Sequence, residues 1–212
     1  MTKPVGILGG TFDPVHNGHI RMAIECYEKL GLQEVRLIPL HTPPHRREPA
    51  ASPEQRYKML EMATKKLDGL IVDNCELMKG GISYTIETVH MMRKKFNRTP
   101  LCLLMGTDAF NTMHTWYQWK ELLNFVHIVI AERPGCLTNP GNQDLKDMLV
   151  NHQNGNLTDL NAFSFGKIFE ITLPLLDISS TQIRNIFLSN KNPAMLLPEN
   201  IIEYIEANHI YS

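Results

Sequence analysis

Short apolar runs recur along this chain, separated by longer segments whose apolar residues follow helical spacing. The runs are rich in β-branched and aliphatic residues, which predicts strands. Strands that are apolar throughout are typical of a parallel sheet, because helices cover both of its faces. The predicted strands span residues 5–8, 35–39, 70–72, 101–105, 126–130 and 168–173. The predicted helices span residues 18–30, 53–67, 84–96, 116–123, 144–150, 180–188 and 198–208.

This alternation predicts a Rossmann-like α/β fold, an open parallel sheet with helices on both faces. Residues 41–51, 134–143 and 151–161 are rich in turn-forming residues and are predicted to be loops. Strand and helix patterns resume after each of them, so we expect a single domain over residues 1–212. Ligands of such sheets bind outside the carboxyl ends of the strands. Several polar loops follow predicted strands, and we expect them to meet in one cleft.

The charge balance is nearly even, with 21 basic and 22 acidic residues and a formal net charge of -1. It favours neither a nucleic-acid partner nor a membrane surface, and no apolar stretch approaches the roughly 20 residues needed to cross a bilayer. The four cysteines form no CxxC pair and are interpreted as reduced core residues: Cys26, Cys75, Cys102 and Cys136. We expect a soluble cytoplasmic protein, and the sequence is compatible with a homo-oligomer.

A glycine-rich loop follows the first predicted strand, and residues 9–19 read GGTFDPVHNGH. Glycines allow a close approach of the backbone to an anion, and a helix that starts near Gly18 would point its free N–H groups at it. The spacing fits neither GxxxxGK[ST] nor GxGxxG. Instead, His16 and His19 stand three residues apart, which places both imidazoles on one side of the first helical turn. The loop therefore predicts a phosphate site.

The loop resembles the (H/T)xGH motif of the nucleotidyltransferase superfamily, and ISSTQIR at residues 178–184 resembles its second phosphate motif. Five further motifs stand in the order found in bacterial nicotinate mononucleotide adenylyltransferases: PPHR (43–46), SYT (83–85), MGTDAF (105–110), TWYQW (115–119) and ERPG (132–135). The resemblance extends over almost the whole chain. It implies transfer of AMP from ATP to nicotinate mononucleotide, which yields deamido-NAD and pyrophosphate.

The resemblance also implies roles for individual residues. His16, His19 and Arg184 would be catalytic. The ATP-binding residues would be Gly9, Gly10, Thr11, Phe12, Gly18, Gly106, Asp108, Arg133, Ile178, Ser179, Ser180 and Thr181. Nicotinate mononucleotide would contact Arg46, Tyr84, Thr85, Trp116 and Tyr117. Because the chain shows no clustered carboxylates, Mg2+ would arrive with ATP rather than in a metal site built by the protein.

Plainer structural explanations exist for the same residues. Residues 179–181 are also a natural helix cap, and Arg133 and Arg184 could be surface charges. Asp108 could cap a helix in a tight turn, and the aromatic residues of TWYQW could belong to the core. Histidines three apart can share zinc, but no third ligand stands at a suitable spacing.

Three functional hypotheses follow from the motifs. The first is adenylyl transfer to nicotinate mononucleotide. The second is adenylyl transfer to another phosphate acceptor, such as phosphopantetheine or nicotinamide mononucleotide. The third is a non-catalytic nucleotide sensor, which the intact His16, His19 and Arg184 disfavour.

Overall fold

The computed structural model describes residues 2–44, 48–133 and 138–211. They contain six strands: β1 (Val5–Gly10), β2 (Glu34–Pro39), β3 (Leu70–Val72), β4 (Leu101–Gly106), β5 (His127–Glu132) and β6 (Ile168–Thr172). They also contain eight α-helices: α1 (Asn17–Lys29), α2 (Pro53–Thr64), α3 (Cys75–Lys79), α4 (Thr85–Phe96), α5 (Thr107–Thr112), α6 (Gln143–His152), α7 (Ser180–Leu188) and α8 (Glu199–Ala207). Three 3-10 helices span Met113–Thr115, Trp119–Asn124 and Leu157–Asn161.

The strands form one parallel sheet in the order β3-β2-β1-β4-β5-β6. The predicted α/β fold with its open parallel sheet is therefore confirmed. The chain runs outward from β1 in one direction and then from β4 in the other, so the strand order reverses between these two. Loops that leave their carboxyl ends diverge to opposite faces and leave a crevice, which is where such sheets bind ligands.

Each face of the sheet carries its own hydrophobic core. Successive strand residues point to opposite faces, so Leu8 packs in one core and Ile7 in the other. The first core contains buried residues of α1, α2, α7 and α8, and the second contains buried residues of α4, α5 and α6. Cys26 and Cys102 are buried free thiols in the first core.

The predicted helix at residues 116–123 is not an α-helix. Trp116 has an extended ψ of 146° and Gln118 is left-handed with φ 51°, so the segment begins with a break after the 3-10 helix Met113–Thr115 and continues as the 3-10 helix Trp119–Asn124. The apolar spacing still led to the right buried face, because residues three apart share a side in both helix types. Trp119, Leu122 and Leu123 are buried there.

Four short elements were not predicted, namely α3, α5 and the 3-10 helices Met113–Thr115 and Leu157–Asn161. The helices α3 and α5 have five and six residues, which is too short for a periodic signal. The stretch at residues 151–161, predicted to be a loop, includes the end of α6 and the 3-10 helix Leu157–Asn161. No helix within the three described ranges is both long and apolar enough to span a membrane.

Candidate active site

The loop between β1 and α1 places two histidines face to face. His16 is the N-cap of α1, and its Nδ1 accepts a hydrogen bond from the His19 backbone N–H at 3.4 Å. The two imidazole rings stack with centroids 3.7 Å apart. The Phe12 and His19 rings meet edge to face, with centroids 4.9 Å apart. The prediction that both rings share one side of the first turn is confirmed.

Gly18 makes this stacking possible. A Cβ at this position would lie 3.0 Å from His16 Nδ1 and 3.5 Å from the Ile178 carbonyl oxygen. The distance to His16 is tight, whereas the distance to Ile178, which belongs to the second predicted phosphate motif, is an ordinary van der Waals contact. The glycine therefore lets the His16 ring approach the start of α1.

Both histidines favour the neutral imidazole in the protein without ligands. Burial lowers the pKa of His16 to about 4. Burial lowers the pKa of His19 well below its usual value, and the charge of a protonated His16 would lower it further. His19 Nδ1 is enclosed and has no hydrogen-bond partner within the described part of the chain. A buried nitrogen without a partner is costly, and a bound anion would supply one.

The second predicted motif packs directly on the first. Ser179 caps α7, as its residue type predicts, and its hydroxyl accepts from the Gln182 N–H at 3.2 Å. Ser180 Oγ donates to the Pro14 carbonyl at 2.9 Å, and Arg184 Nη1 donates to the Asp13 carbonyl at 2.7 Å. Segments more than 160 residues apart in sequence are thus hydrogen-bonded at the switch point, which is the place between β1 and β4 where the strand order reverses.

A cavity of about 1580 Å³ opens at this point. Small-molecule pockets commonly range from about 300 to about 1,000 Å³, so this cavity has room for two substrates side by side. Every predicted site residue that the structure describes lines it: Gly9, Gly10, Thr11, Phe12, His16, Gly18, His19, Tyr84, Thr85, Gly106, Asp108, Trp116, Tyr117, Arg133, Ile178, Ser179, Ser180, Thr181 and Arg184. Arg46, the remaining one, lies outside the described residues.

Three aromatic residues, Tyr84, Trp116 and Tyr117, also form part of the cavity wall. Tyr84 and Tyr117 lie with ring centroids 4.8 Å apart, and Tyr117 is 52% exposed. Trp116 is half-buried on the same wall, whereas Trp119 is buried in the core. The aromatic cluster therefore divides into two residues at the cavity, where they could stack on a ring, and one that packs in the core.

Two charged residues predicted to bind ATP are exposed at the cavity. Asp108 lies in the first turn of α5, directly after β4, and Gly106 is the N-cap of that helix. Arg133 follows β5 and pairs with Asp177 at 2.6 Å, an exposed contact that a ligand phosphate could replace.

Several cavity residues had no signal in the sequence. Residues 208–211, at the end of the chain, line the cavity together with Asp13, Gln55 and Asn111. Arg56 is fully buried beside it and donates to four backbone carbonyls, those of Thr11, Leu40, His41 and Ala51. Such contacts join different segments of the chain, so no local sequence pattern predicts them.

The described ranges contain no group of three or more His, Cys, Asp or Glu side chains placed to hold a metal ion. His16 and His19 stack on each other and have no third ligand beside them. Their arrangement suits phosphate oxygens better than zinc, which needs four ligands at a structural site.

Comparison with known proteins defines the class. A model of the cytidylyltransferase-like family matches residues 7–186. Strand order, the switch-point cavity and the two joined phosphate motifs are thus those of a nucleotidyltransferase, and the chain belongs to the cytidylyltransferase-like family.

Full-length relatives identify a more specific family within this class. The protein named "Probable nicotinate-nucleotide adenylyltransferase" of Aeromonas hydrophila is 40% identical over 212 residues, which are 100% of this chain and 98% of the relative. A protein of the same name from Methylococcus capsulatus is 40% identical over 209 residues, which are 98% of this chain and 99% of the relative. Within its class, the chain belongs to the nicotinate-nucleotide adenylyltransferase family.

A solved structure agrees on the fold. Nicotinic acid mononucleotide adenylyltransferase of Plasmodium falciparum, complexed with APC, matches with a TM-score of 0.72 and covers 99% of this chain and 97% of its own. The same enzyme complexed with NaAD gives the same TM-score. At 14% and 15% sequence identity, these matches show the shared architecture alone.

Proposed function

We propose that this protein transfers the adenylyl group of MgATP to the phosphate of nicotinate mononucleotide, which releases pyrophosphate and forms nicotinate adenine dinucleotide. The single observation that carries this proposal is the junction of the two phosphate motifs at the switch point. There the His19 imidazole and the Arg184 guanidinium line one cavity that has room for both substrates. The names of the full-length relatives supply the acceptor.

The nucleotide half of the cavity is assigned to MgATP. His19 would contact the phosphates through its imidazole, with His16 and Gly18 shaping the phosphate-binding surface. The free N–H groups at the start of α7, with the hydroxyls of Ser179 and Thr181, suit the β- and γ-phosphates, while the Ser180 hydroxyl is bonded to the Pro14 carbonyl. Asp108 would accept from ribose hydroxyls, and Arg133 would exchange Asp177 for a phosphate.

The aromatic half is assigned to the acceptor. Trp116 and Tyr117 would stack on the pyridine ring, and Tyr84 supports Tyr117 from behind. Thr85 starts α4, so backbone N–H groups there would receive the nicotinate carboxylate. Arg46 is included on its sequence motif alone.

The chemistry requires no covalent enzyme intermediate. The acceptor phosphate is already an anion and attacks the α-phosphorus of ATP in line with the departing pyrophosphate. Protein groups then have two tasks, which are to align the two phosphates and to stabilise the charge that develops between them. Mg2+ belongs to the substrate in this scheme, because ATP carries it into the cavity.

A pyrophosphate-release assay with MgATP and three separate acceptors tests the proposal. We expect turnover with nicotinate mononucleotide, weaker turnover with nicotinamide mononucleotide and none with phosphopantetheine. Turnover with phosphopantetheine alone would refute the proposed acceptor. Binding of ATP without pyrophosphate release from any acceptor would instead support a nucleotide sensor.

A further inference from the structure

Tyr211, one residue from the end of the chain, is buried at the active site. Its side chain is 7% exposed, its ring lies 6.1 Å from the Phe187 ring of α7, and it lines the cavity. After α8, the backbone adopts positive φ at His209 (50°) and Tyr211 (66°). Such values are uncommon in non-glycine residues and mark turns that the surrounding structure holds in place. Residues 208–211 are therefore folded back onto the cavity.

The Tyr211 hydroxyl donates to Asp13 Oδ1 at 2.7 Å. Asp13 lies inside the phosphate loop and is 5% exposed. Its carboxylate also accepts from the backbone N–H groups of Ala51 (Oδ1, 3.0 Å) and Ala50 (Oδ2, 3.0 Å). Burial and the Asp13 charge raise the pKa of the Tyr211 phenol, so it remains a protonated donor over the whole working pH range. Three donors thus fix the orientation of this carboxylate.

Asp13 also accepts a hydrogen bond from Arg184. Arg184 Nη1 donates to the Asp13 carbonyl oxygen at 2.7 Å, but it stands 3.8 Å from Asp13 Oδ2. The guanidinium is therefore anchored on the Asp13 carbonyl and on the Thr181 hydroxyl (Nη2, 3.0 Å), and its ion pair with the carboxylate is long. It remains 30% exposed toward the cavity. A closer ion pair would neutralise the charge that the transferring phosphate needs.

We propose that Tyr211 is a positioning residue for adenylyl transfer: its hydroxyl holds the Asp13 carboxylate away from Arg184 and so leaves the Arg184 charge available to the phosphates. This inference rests on the proposed function. Without the hydroxyl, Asp13 Oδ1 keeps only the Ala51 N–H, and the carboxylate rotates toward Arg184. If Tyr211 contributed only to packing, its aromatic ring would be needed but its hydroxyl would not.

The test compares Tyr211→Phe with Tyr204→Phe, which removes a hydroxyl from the neighbouring α8. In Tyr211→Phe we expect kcat to fall about tenfold while KM for the acceptor changes less than twofold, because an interaction important in the transition state is disturbed. Tyr204→Phe is expected to match the wild type. Thermal unfolding is measured on both variants, and loss of the folded state in Tyr211→Phe would assign the hydroxyl to stability and overturn the proposal.

Two double variants separate positioning from general damage. If Tyr211 acts through Arg184, adding Tyr211→Phe to Arg184→Ala changes kcat less than twofold. Adding it to Asp13→Asn also has less than a twofold effect, since a neutral amide no longer attracts the guanidinium. An equal tenfold fall in either background would refute the proposal. Wild-type turnover without a Tyr211→Phe effect would refute this inference alone, whereas absence of wild-type turnover with every acceptor would refute the proposed function and this inference with it.

Discussion

At the scale of single residues, the stacked pair of His16 and His19 is the most unusual feature of the protein. Two imidazoles 3.7 Å apart avoid mutual repulsion only if at most one is charged, and burial lowers the pKa of both. His19 keeps an enclosed nitrogen free of any protein partner in the described residues. The pair is thus organised before ligands arrive.

His19→Ala is expected to lower kcat by about a hundredfold, which is the order of effect for removing one preorganised donor to a developing charge. Steady-state kinetics at saturating MgATP and acceptor measure it. His152→Ala serves as the control, because His152 lies outside the cavity lining and bonds the Gly166 carbonyl. A rise in KM with kcat unchanged would show that His19 only holds substrate.

The pKa of His16 predicts how stability depends on pH. Below about pH 6.5 the unfolded chain protonates this histidine, whereas the folded protein does so only near pH 4. The contribution to the free energy of unfolding is therefore complete above pH 6.5 and falls as the pH drops toward 4. Between about pH 7.5 and about pH 5 the loss from His16 is about 2 kcal/mol.

Urea unfolding of the wild type and of His16→Asn at both pH values measures this loss. Asparagine is a good N-cap, so the variant keeps the helix start and removes the titrating group. We expect its pH dependence to be weaker by about 2 kcal/mol, with a remainder from His19 and His127, whose pKa values burial also lowers. Identical pH dependence in the two proteins would contradict this account.

At the scale of elements, the site depends on how two helices meet. The start of α1 and the start of α7 converge, and hydrogen bonds from Ser180 and Arg184 tie them to the phosphate loop. Two helix N-termini aimed at one cavity make a strong anion site, because each carries free N–H groups and a partial positive charge. At the start of α1, the small size of Gly18 leaves room for the His16 ring.

Gly18→Ala is expected to lower kcat at least about tenfold, because the new methyl would press on the His16 ring. Assays at saturating substrate measure the loss, and thermal unfolding shows whether the fold persists. Gly141→Ala is the matched control, since a Cβ there meets nothing within 4 Å. Full activity in Gly18→Ala would show that the close approach is not needed.

Most elements were predicted from local patterns, and the exceptions have physical causes. Long amphipathic helices and buried strands carry enough repeated positions to be recognised, as α4 and β5 show. The short helices α3 and α5 do not, and at residues 116–123 the same apolar spacing fits both an α-helix and a 3-10 helix. There, the backbone conformations of Trp116 and Gln118, which no sequence pattern predicts, exclude an α-helix.

At the scale of the whole molecule, one cavity holds both proposed substrate sites. The phosphate motifs and the aromatic residues both line it, so a ligand that contacts both gains from each. This arrangement distinguishes a joint transfer site from two separate binding sites.

At equal concentrations of about 1 mM, nicotinate adenine dinucleotide is expected to raise the thermal midpoint more than either AMP or nicotinate mononucleotide, because tighter binding to the folded state gives greater stabilisation. Differential scanning fluorimetry measures the shifts. Trp116→Ala should reduce the shifts from the mononucleotide and the dinucleotide and leave that from AMP unchanged. A dinucleotide shift no larger than that of AMP would contradict a shared cavity.

The sequence by itself determined the parallel sheet, the two phosphate motifs and all the cavity residues that were predicted and described. It could do so because apolar periodicity and the GGTFDPVHNGH and ISSTQIR motifs are local. Only the tertiary structure decided that Tyr211 reaches Asp13, that Arg56 ties four carbonyls together, and that Trp119 leaves the aromatic wall for the core. Those contacts join residues far apart in sequence, and they form only when the helices of both sheet faces pack.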